Sequence, residues 1–300
     1  MHRLFLLRAY GDFVILLQAL IQSPQKNKFS LIASKHLEPL YQELALVIDL
    51  SSIQIQFINF DITNTQLSLF TNKHILSLNT VKELKQIKNF VKQHPNQSGQ
   101  DYLEQDKRIG FFNAITGLHF NSIVSTEPVY ISYAKFFDIQ DIKEVEVTHE
   151  SREDKNSKNI VDKVLDNKLN SKKVLLFPDT RQAKKNIPSS LISKLENEIE
   201  AKGYNLEIAY FKEAPNSSTA NNSSSKTKQV VYSNFKTLLQ YIQEAELILG
   251  ADSLPIHLAY LLKKPHYILY PNGYPQLFMT PYAQINNRFG TFDHYNFSFL

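Results

Sequence analysis

The sequence predicts an α/β protein made of two doubly wound, Rossmann-like domains in tandem. Three observations carry this prediction. The chain has 300 residues, room for two domains of about 150 residues each. Apolar runs of strand length alternate with runs of helix length, a pattern that builds a mostly parallel sheet covered on both faces. The alternation stops once, in the charged and Asn-rich stretch HESREDKNSKNIVDKVLDNKLNSKK, and then restarts. Residues 1–150 are therefore expected to form the first domain, 151–172 a linker with a short helical pattern of its own, and 173–300 the second domain.

The first domain opens with the apolar run Arg3–Arg8, a strand. Tyr10–Gly11–Asp12 is expected to break it, and Phe13–Ile21 to continue as a very apolar helix that Pro24 terminates. Phe29–Ala33 is the next strand and His36–Leu44 the next helix. Leu46–Ile48 and Ile55–Phe60 read as strands, Val81–Gln93 as an amphipathic helix and Ile109–Phe112 as a further apolar run. In the second domain Val174–Phe177 is a strand and Ser189–Lys202 a helix closed by Gly203. Leu206–Phe211 follows as a strand, then the low-complexity loop Lys212–Lys228. Gln229–Tyr232 and Leu247–Leu249 are strands flanking a helix over Phe235–Ala245. Leu254–Leu262 is a helix, His266–Tyr270 a strand, and the aromatic tail Phe289–Leu300 is expected to pack on the core.

Composition narrows the chemistry. With 43% apolar and 21% charged residues the chain can bury a substantial core. It has no Cys, which removes disulfides and thiolate catalysis and fits a reducing, cytoplasmic setting. A net charge of +4 is too small for a nucleic-acid binder, so no nucleic-acid partner is expected. No signal peptide and no transmembrane run is expected, so any membrane contact is peripheral. The histidines show no metal-ligand spacing, and Asp61, Asp101 and Asp106 are assigned to surface or capping roles. Neither a Gly-x-Gly-x-x-Gly fingerprint nor a P-loop is present.

Two stretches carry site chemistry. In Leu247–Pro265 a strand, a tight turn and a helix beginning Leu254–Pro255–Ile256 follow one another, with Asp252 or Ser253 as N-cap and His257 in the first turn. Such a helix start presents N–H groups and partial positive charge, which suit a phosphate. In Phe177–Pro188 a turn after the first strand of the second domain gathers Thr180, Arg181, Lys184 and Lys185, a set that suits a diphosphate and equally a solvated basic loop. At the other end of the chain, Asp12 has two roles open to it. It can cap the helix, or it can act as a general base at the sheet's carboxyl edge.

These elements together resemble glycosyltransferase family 9, the bacterial family that contains the lipopolysaccharide heptosyltransferases. The resemblance lies in Gly11–Asp12 after an apolar strand, in Lys185–Asn186–Ile187–Pro188, and in Asp252–Ser253–Leu254–Pro255–Ile256–His257–Leu258–Ala259 followed by Lys264–Pro265. It implies a GT-B fold, with two Rossmann-like domains facing a cleft, acceptor on the first and nucleotide-sugar on the second. By position, Asp12 would activate the acceptor hydroxyl, with Gly11 at the acceptor. Thr180, Lys185, Asp252, Ser253, Leu254 and His257 would hold the nucleotide-sugar. The reaction implied is an inverting transfer to a lipid-linked or surface-glycan acceptor, with no metal and no cofactor. The sequence departs from the family pattern at Leu254, where the family has Gly, and at Ile187, where it has an aromatic residue. A degenerate, non-catalytic binding protein and a nucleotide-sugar epimerase are the alternative functions considered.

Overall fold

The computed structural model describes residues 1–6, 9–59, 87–105, 113–114, 117–124, 127–140, 172–211 and 227–300. The chain divides into two compact units, Met1–Gln140 and Asp141–Leu300. The expected linker 151–172, apart from Lys172, lies outside the described residues, as do Ile109–Phe112, residues 81–86 of the expected helix Val81–Gln93, and residues 212–226 of the expected loop. Residues 87–93 are helical.

Unit 1 holds a parallel sheet of five strands, β1 (His2–Leu6), β2 (Phe29–Ser34), β3 (Ile55–Ile58), β4 (Asp101–Gln105) and β5 (Phe120–Val124), in the order β3-β2-β1-β4-β5. Its helices include α1 (Tyr10–Gln22), α2 (Glu38–Ala45) and α3 (Val129–Phe136). Strand β1 lies in the middle, pairing Leu4 with Leu31 on one side and with Tyr102 on the other. A strand buried on both faces reads as a continuous apolar run, which is why β1 is legible. Helix α1 is buried from Phe13 to Leu20, again without a polar face.

Several expectations are corrected here. Tyr10–Gly11–Asp12 is not a break: these residues form the first turn of α1, whose N-cap is Ala9, so Asp12 does not cap the helix. Gly11 has no left-handed φ, so its backbone conformation does not require glycine. Leu46–Ile48 is a turn after α2, with Leu46 and Val47 exposed. Asp101 is no surface group. Its carboxylate accepts two hydrogen bonds from the Arg3 guanidinium at 2.7 Å, tying β4 to β1 at their amino ends. Both side chains are about nine-tenths buried, and such a planar two-point pair is stronger than a surface contact.

Unit 2 holds six parallel strands, β6 (Lys173–Phe177), β7 (Asn205–Phe211), β8 (Lys228–Tyr232), β9 (Leu247–Ala251), β10 (His266–Tyr270) and β11 (Phe289–Thr291). Their order is β11-β10-β9-β6-β7-β8. Counted from β6, this is the 3-2-1-4-5-6 order of a doubly wound nucleotide-binding sheet. Among the described residues its helices are α4 (Ser189–Ala201), α5 (Phe235–Glu244), α6 (Leu254–Leu261) and α7 (Pro281–Ile285). Leu191, Leu195 and Ile199 form one stripe of α4 and pack on Val174, Leu176 and Leu206. Gly203 ends α4 in the left-handed conformation that favours glycine, as expected. The tail packs as expected, with Phe297 buried in the same core and stacked edge-on to Tyr267 at 4.8 Å. Among the described residues, no helix is long and apolar enough to cross a membrane.

Candidate functional site

In an open parallel sheet a crevice forms at the carboxyl edge where the strand order reverses, because the connections there leave in opposite directions. In unit 2 this switch point falls between β6 and β9, which pair from Val174↔Leu247 to Phe177↔Gly250. The two motifs found in the sequence are the two loops that flank it. A Cβ on Gly250 would lie 3.1 Å from the Phe177 carbonyl, so the small residue allows the strands to end in close contact.

The loop after β6 is held by its own polar groups. The Thr180 hydroxyl donates to the Gln182 carbonyl at 2.7 Å, and the Thr180 amide donates to the Asn186 side chain at 2.8 Å. Ile187 is buried and anchors the loop in the core, the packing role an aromatic at this position would also serve. The folded loop returns Lys185 to the switch point. Its Nζ lies 2.7 Å from Asp252 Oδ2, and the His257 Nε2 lies 3.4 Å from the other carboxylate oxygen. The three side chains are 10%, 3% and 4% exposed for Lys185, Asp252 and His257. Burial alone would raise the Asp252 carboxyl, but the hydrogen bond and charge of His257, with those of Lys185, outweigh it and hold the group below the usual carboxylate range.

Ser253 is the N-cap of α6 in extended conformation, but its hydroxyl donates back to the Ala251 carbonyl at 3.0 Å. The first turn of α6 therefore has no side-chain cap from Ser253, and the partial positive charge of a helix start lies at this end. Leu254 is the first helical residue and half-buried, and it is not among the residues with positive φ. The position does not demand glycine for backbone reasons.

A third loop completes the cluster, and sequence reasoning missed it. The Tyr274 ring lies 5.1 Å from Lys185 Nζ and 5.4 Å from Lys184 Nζ. Phe278 lies 5.8 Å from Lys185 Nζ, with its ring 6.5 Å from that of His257. The signal was available: every loop that follows a strand of a parallel sheet arrives at the same edge, and Pro271–Asn272–Gly273 marks a turn directly after β10. Tyr270, at the end of β10, is also buried beside the cluster. Burial, then the charge of Asp252, raises its phenol far above the ordinary value, so it stays neutral.

The structure thus brings Lys185, Asp252 and His257 into one buried trio, with Thr180, Ser253 and Leu254 in the same two loops. Gly11 and Asp12 belong to unit 1. They are half-buried in the first turn of α1, which follows the central strand β1, at the equivalent edge of the other sheet. Nearby, the Tyr10 hydroxyl donates to the His36 carbonyl at 3.2 Å and the two rings meet edge-on at 5.4 Å. A carboxylate at a helix start is favoured by the dipole. The unit 2 trio suits an anion: three N–H donors on Lys185, one of them used by Asp252, beside an imidazole and a helix terminus.

A family model described as glycosyltransferase family 9 (heptosyltransferase) matches residues 123–296. No curated protein sequence matches the chain. Among solved structures, that of E. coli heptosyltransferase WaaC with ADP-2-deoxy-2-fluoro heptose is 12% identical, the match covering 92% of this chain and 90% of that one with a TM-score of 0.52. A glycosyl transferase family 9 protein from Veillonella parvula is 12% identical, covering 97% and 84% with a TM-score of 0.59. E. coli ADP-heptose LPS heptosyltransferase II is 12% identical, covering 97% and 89% with a TM-score of 0.54. At such identities the likeness is one of fold, and it bears out the expected GT-B class with its two Rossmann-like sheets.

Proposed function

The chain belongs to glycosyltransferase family 9, and from that premise we propose that it transfers a heptose or hexose from a nucleoside-diphosphate sugar to a lipopolysaccharide or other surface-glycan acceptor. The observation that carries this reading is the Lys185–Asp252–His257 trio at the uncapped start of α6. Asp252 holds the Lys185 and His257 side chains in place, and their remaining donors, with the amides around Ser253 and Leu254, receive the diphosphate. Thr180 shapes the loop that carries Lys185.

In the proposed reaction Asp12 takes the proton of the acceptor hydroxyl, and Gly11 leaves space for the acceptor beside it. The hydroxyl oxygen attacks the anomeric carbon from the face opposite the leaving group. The bond from that carbon to the diphosphate oxygen breaks, and its electron pair leaves with the nucleoside diphosphate. One displacement inverts the anomeric centre. The diphosphate's new charge falls to Lys185, His257 and the α6 terminus, without a metal or a cofactor in the scheme. We place the protein in the cytoplasm, meeting a lipid-linked acceptor by peripheral contact with the membrane.

The test begins with a thermal-shift panel of ADP, UDP and GDP, since a ligand that binds only the folded state raises its apparent stability. One nucleotide is expected to raise the midpoint well above the others, and its sugar conjugate is then assayed for transfer to glycan-lipid extracts. A panel with no shift at millimolar nucleotide would contradict the proposal.

A further inference from the structure

Tyr270 carries a polar atom that the phosphate site leaves unexplained. The side chain is fully buried, and its hydroxyl has no hydrogen-bond partner among the described residues. The other fully buried tyrosine of β10 is satisfied. The Tyr267 hydroxyl donates to the Phe289 carbonyl at 2.8 Å and accepts from the Asn296 amide at 3.1 Å. A phenylalanine at 270 would fill nearly the same volume with no polar group to desolvate, so an idle hydroxyl there is a cost that calls for an explanation.

The register brings this hydroxyl to the buried trio. Strands β9 and β10 pair in parallel up to Leu269↔Ala251, so Tyr270 and Asp252 are the next residues along the two neighbours. Leu249, Ala251, Tyr267 and Leu269 belong to the core that includes the α4 stripe. Side chains alternate along a strand, so Tyr270 lies on the opposite face. That is the face of α6, because a Cβ on Gly250 would lie 3.5 Å from Ile256 Cδ1. Burial, and then the nearby charge of Asp252, keep the phenol protonated and able to donate.

Asp252 has room for one more donor. Its Oδ2 accepts from Lys185 at 2.7 Å and its Oδ1 lies 3.4 Å from His257 Nε2, whereas an ionised carboxylate offers about four lone-pair positions. A diphosphate at the start of α6 competes for the lysine. The carboxylate then loses a charge-assisted bond in a dry setting, where an unmatched anion is costly. A neutral phenol can make up that bond and leave the positive charge to the phosphate.

We propose that Tyr270 is a positioning residue whose hydroxyl donates to the Asp252 carboxylate when Lys185 turns to the diphosphate, so that Asp252 stays matched and goes on orienting His257. The assignment rests on the reading of the Lys185–Asp252–His257 trio as the diphosphate site. Lysine is the donor to Asp252 in the empty site, and the phenol joins or replaces it in the filled one.

The test uses the full chain with Tyr270→Phe, Lys185→Met and the two combined. Calorimetric titration with inorganic pyrophosphate should show binding to Tyr270→Phe weakened about fivefold, the scale of one hydrogen bond. Urea unfolding without ligand should show the midpoint of Tyr270→Phe unchanged or raised, since only an idle hydroxyl is removed. In the Lys185→Met background the phenol is a donor that Asp252 needs, so the same substitution should lower the midpoint, a coupling that a purely structural tyrosine would not show. Should Lys185→Met not fold, saturating pyrophosphate takes its place, and Tyr270→Phe should lower the midpoint only with that ligand present. Pyrophosphate affinity within twofold in Tyr270→Phe, or an effect on the midpoint that is the same in both backgrounds, overturns the assignment and leaves the phosphate site standing. Failure of the unmodified protein to bind pyrophosphate overturns the phosphate site itself and this assignment with it.

Discussion

The two sheets share one strand order around their central strands, and both tie their amino edges with partly buried ion pairs. Arg3 and Asp101 join β1 to β4, and Lys173 and Glu207 join β6 to β7 at 2.9 Å. Their carboxyl edges differ. In unit 1 the helix after the central strand starts with a small residue and a carboxylate, Gly11 and Asp12, and continues apolar. In unit 2 the helix start carries a buried carboxylate already matched with a lysine and a histidine. The shared topology gives each unit the same edge after its central strand, and the side chains placed there differ in charge and in partners.

Breaking each half of this comparison should give different readouts. Asp12→Asn should leave nucleotide binding within twofold and lower sugar transfer by about a hundredfold or more, the scale of losing a general base; transfer at the unmodified rate would remove Asp12 from the chemistry. Asp252→Ala should act first on stability. It strands two buried nitrogen groups, and such a loss costs about 3–5 kcal/mol, readable by urea denaturation. An unchanged unfolding midpoint would show that the trio is not organised by its carboxylate.

A titration sharpens the contrast within unit 2. His266 is buried and accepts or donates to Thr280 at 2.6 Å, and burial lowers its pKa from 6.5 to about 4. The unfolded chain therefore binds this proton at higher pH than the folded one. Stability from this group is complete above pH 6.5 and drains as pH falls towards 4, amounting to about 3 kcal/mol in all at the usual cost per pKa unit. His266→Gln should flatten that limb of the stability curve. Asp252, whose pKa is lowered in the fold, loses its contribution only below its ordinary value of 3.8, so the two limbs separate in the same experiment. The smallest effect belongs to Leu254→Gly. With no positive φ to relieve, glycine there should cost about 1 kcal/mol or less at the helix start and change pyrophosphate affinity less than threefold. A large gain in affinity would show that the leucine side chain blocks the site.

Much of the second unit was legible because its strands are continuous apolar runs and its helices carry i, i+4 stripes or glycine stops, as at Leu191, Leu195 and Gly203. The first unit was harder. Strand β4, DYLEQ, pairs with β1 but alternates polar residues, and β5, FNSIV, is short and half polar, so neither rises above a loop pattern. Leu46–Ile48 misled in the other direction: three apolar residues after α2 form an exposed turn. At the site, motifs indicated the residues but not their partners. That Lys185 spends one donor on Asp252 depends on a loop folding back through Thr180 and Asn186, which no spacing rule encodes. Tyr274 and Phe278 were missed because their relevance comes from the sheet edge at which β10 ends rather than from a motif.

The central claim is that the switch point of the second sheet receives a diphosphate through Lys185 and the start of α6. The most direct measurement is calorimetric titration of inorganic pyrophosphate, a probe free of base and sugar, into the unmodified protein, Lys185→Met and Asp12→Asn. One site per chain is expected, weakened about tenfold or more by Lys185→Met, the scale of a charge-assisted contact, and untouched by Asp12→Asn. Pyrophosphate that binds Lys185→Met as well as the unmodified protein, or that loses affinity only in Asp12→Asn, would contradict it.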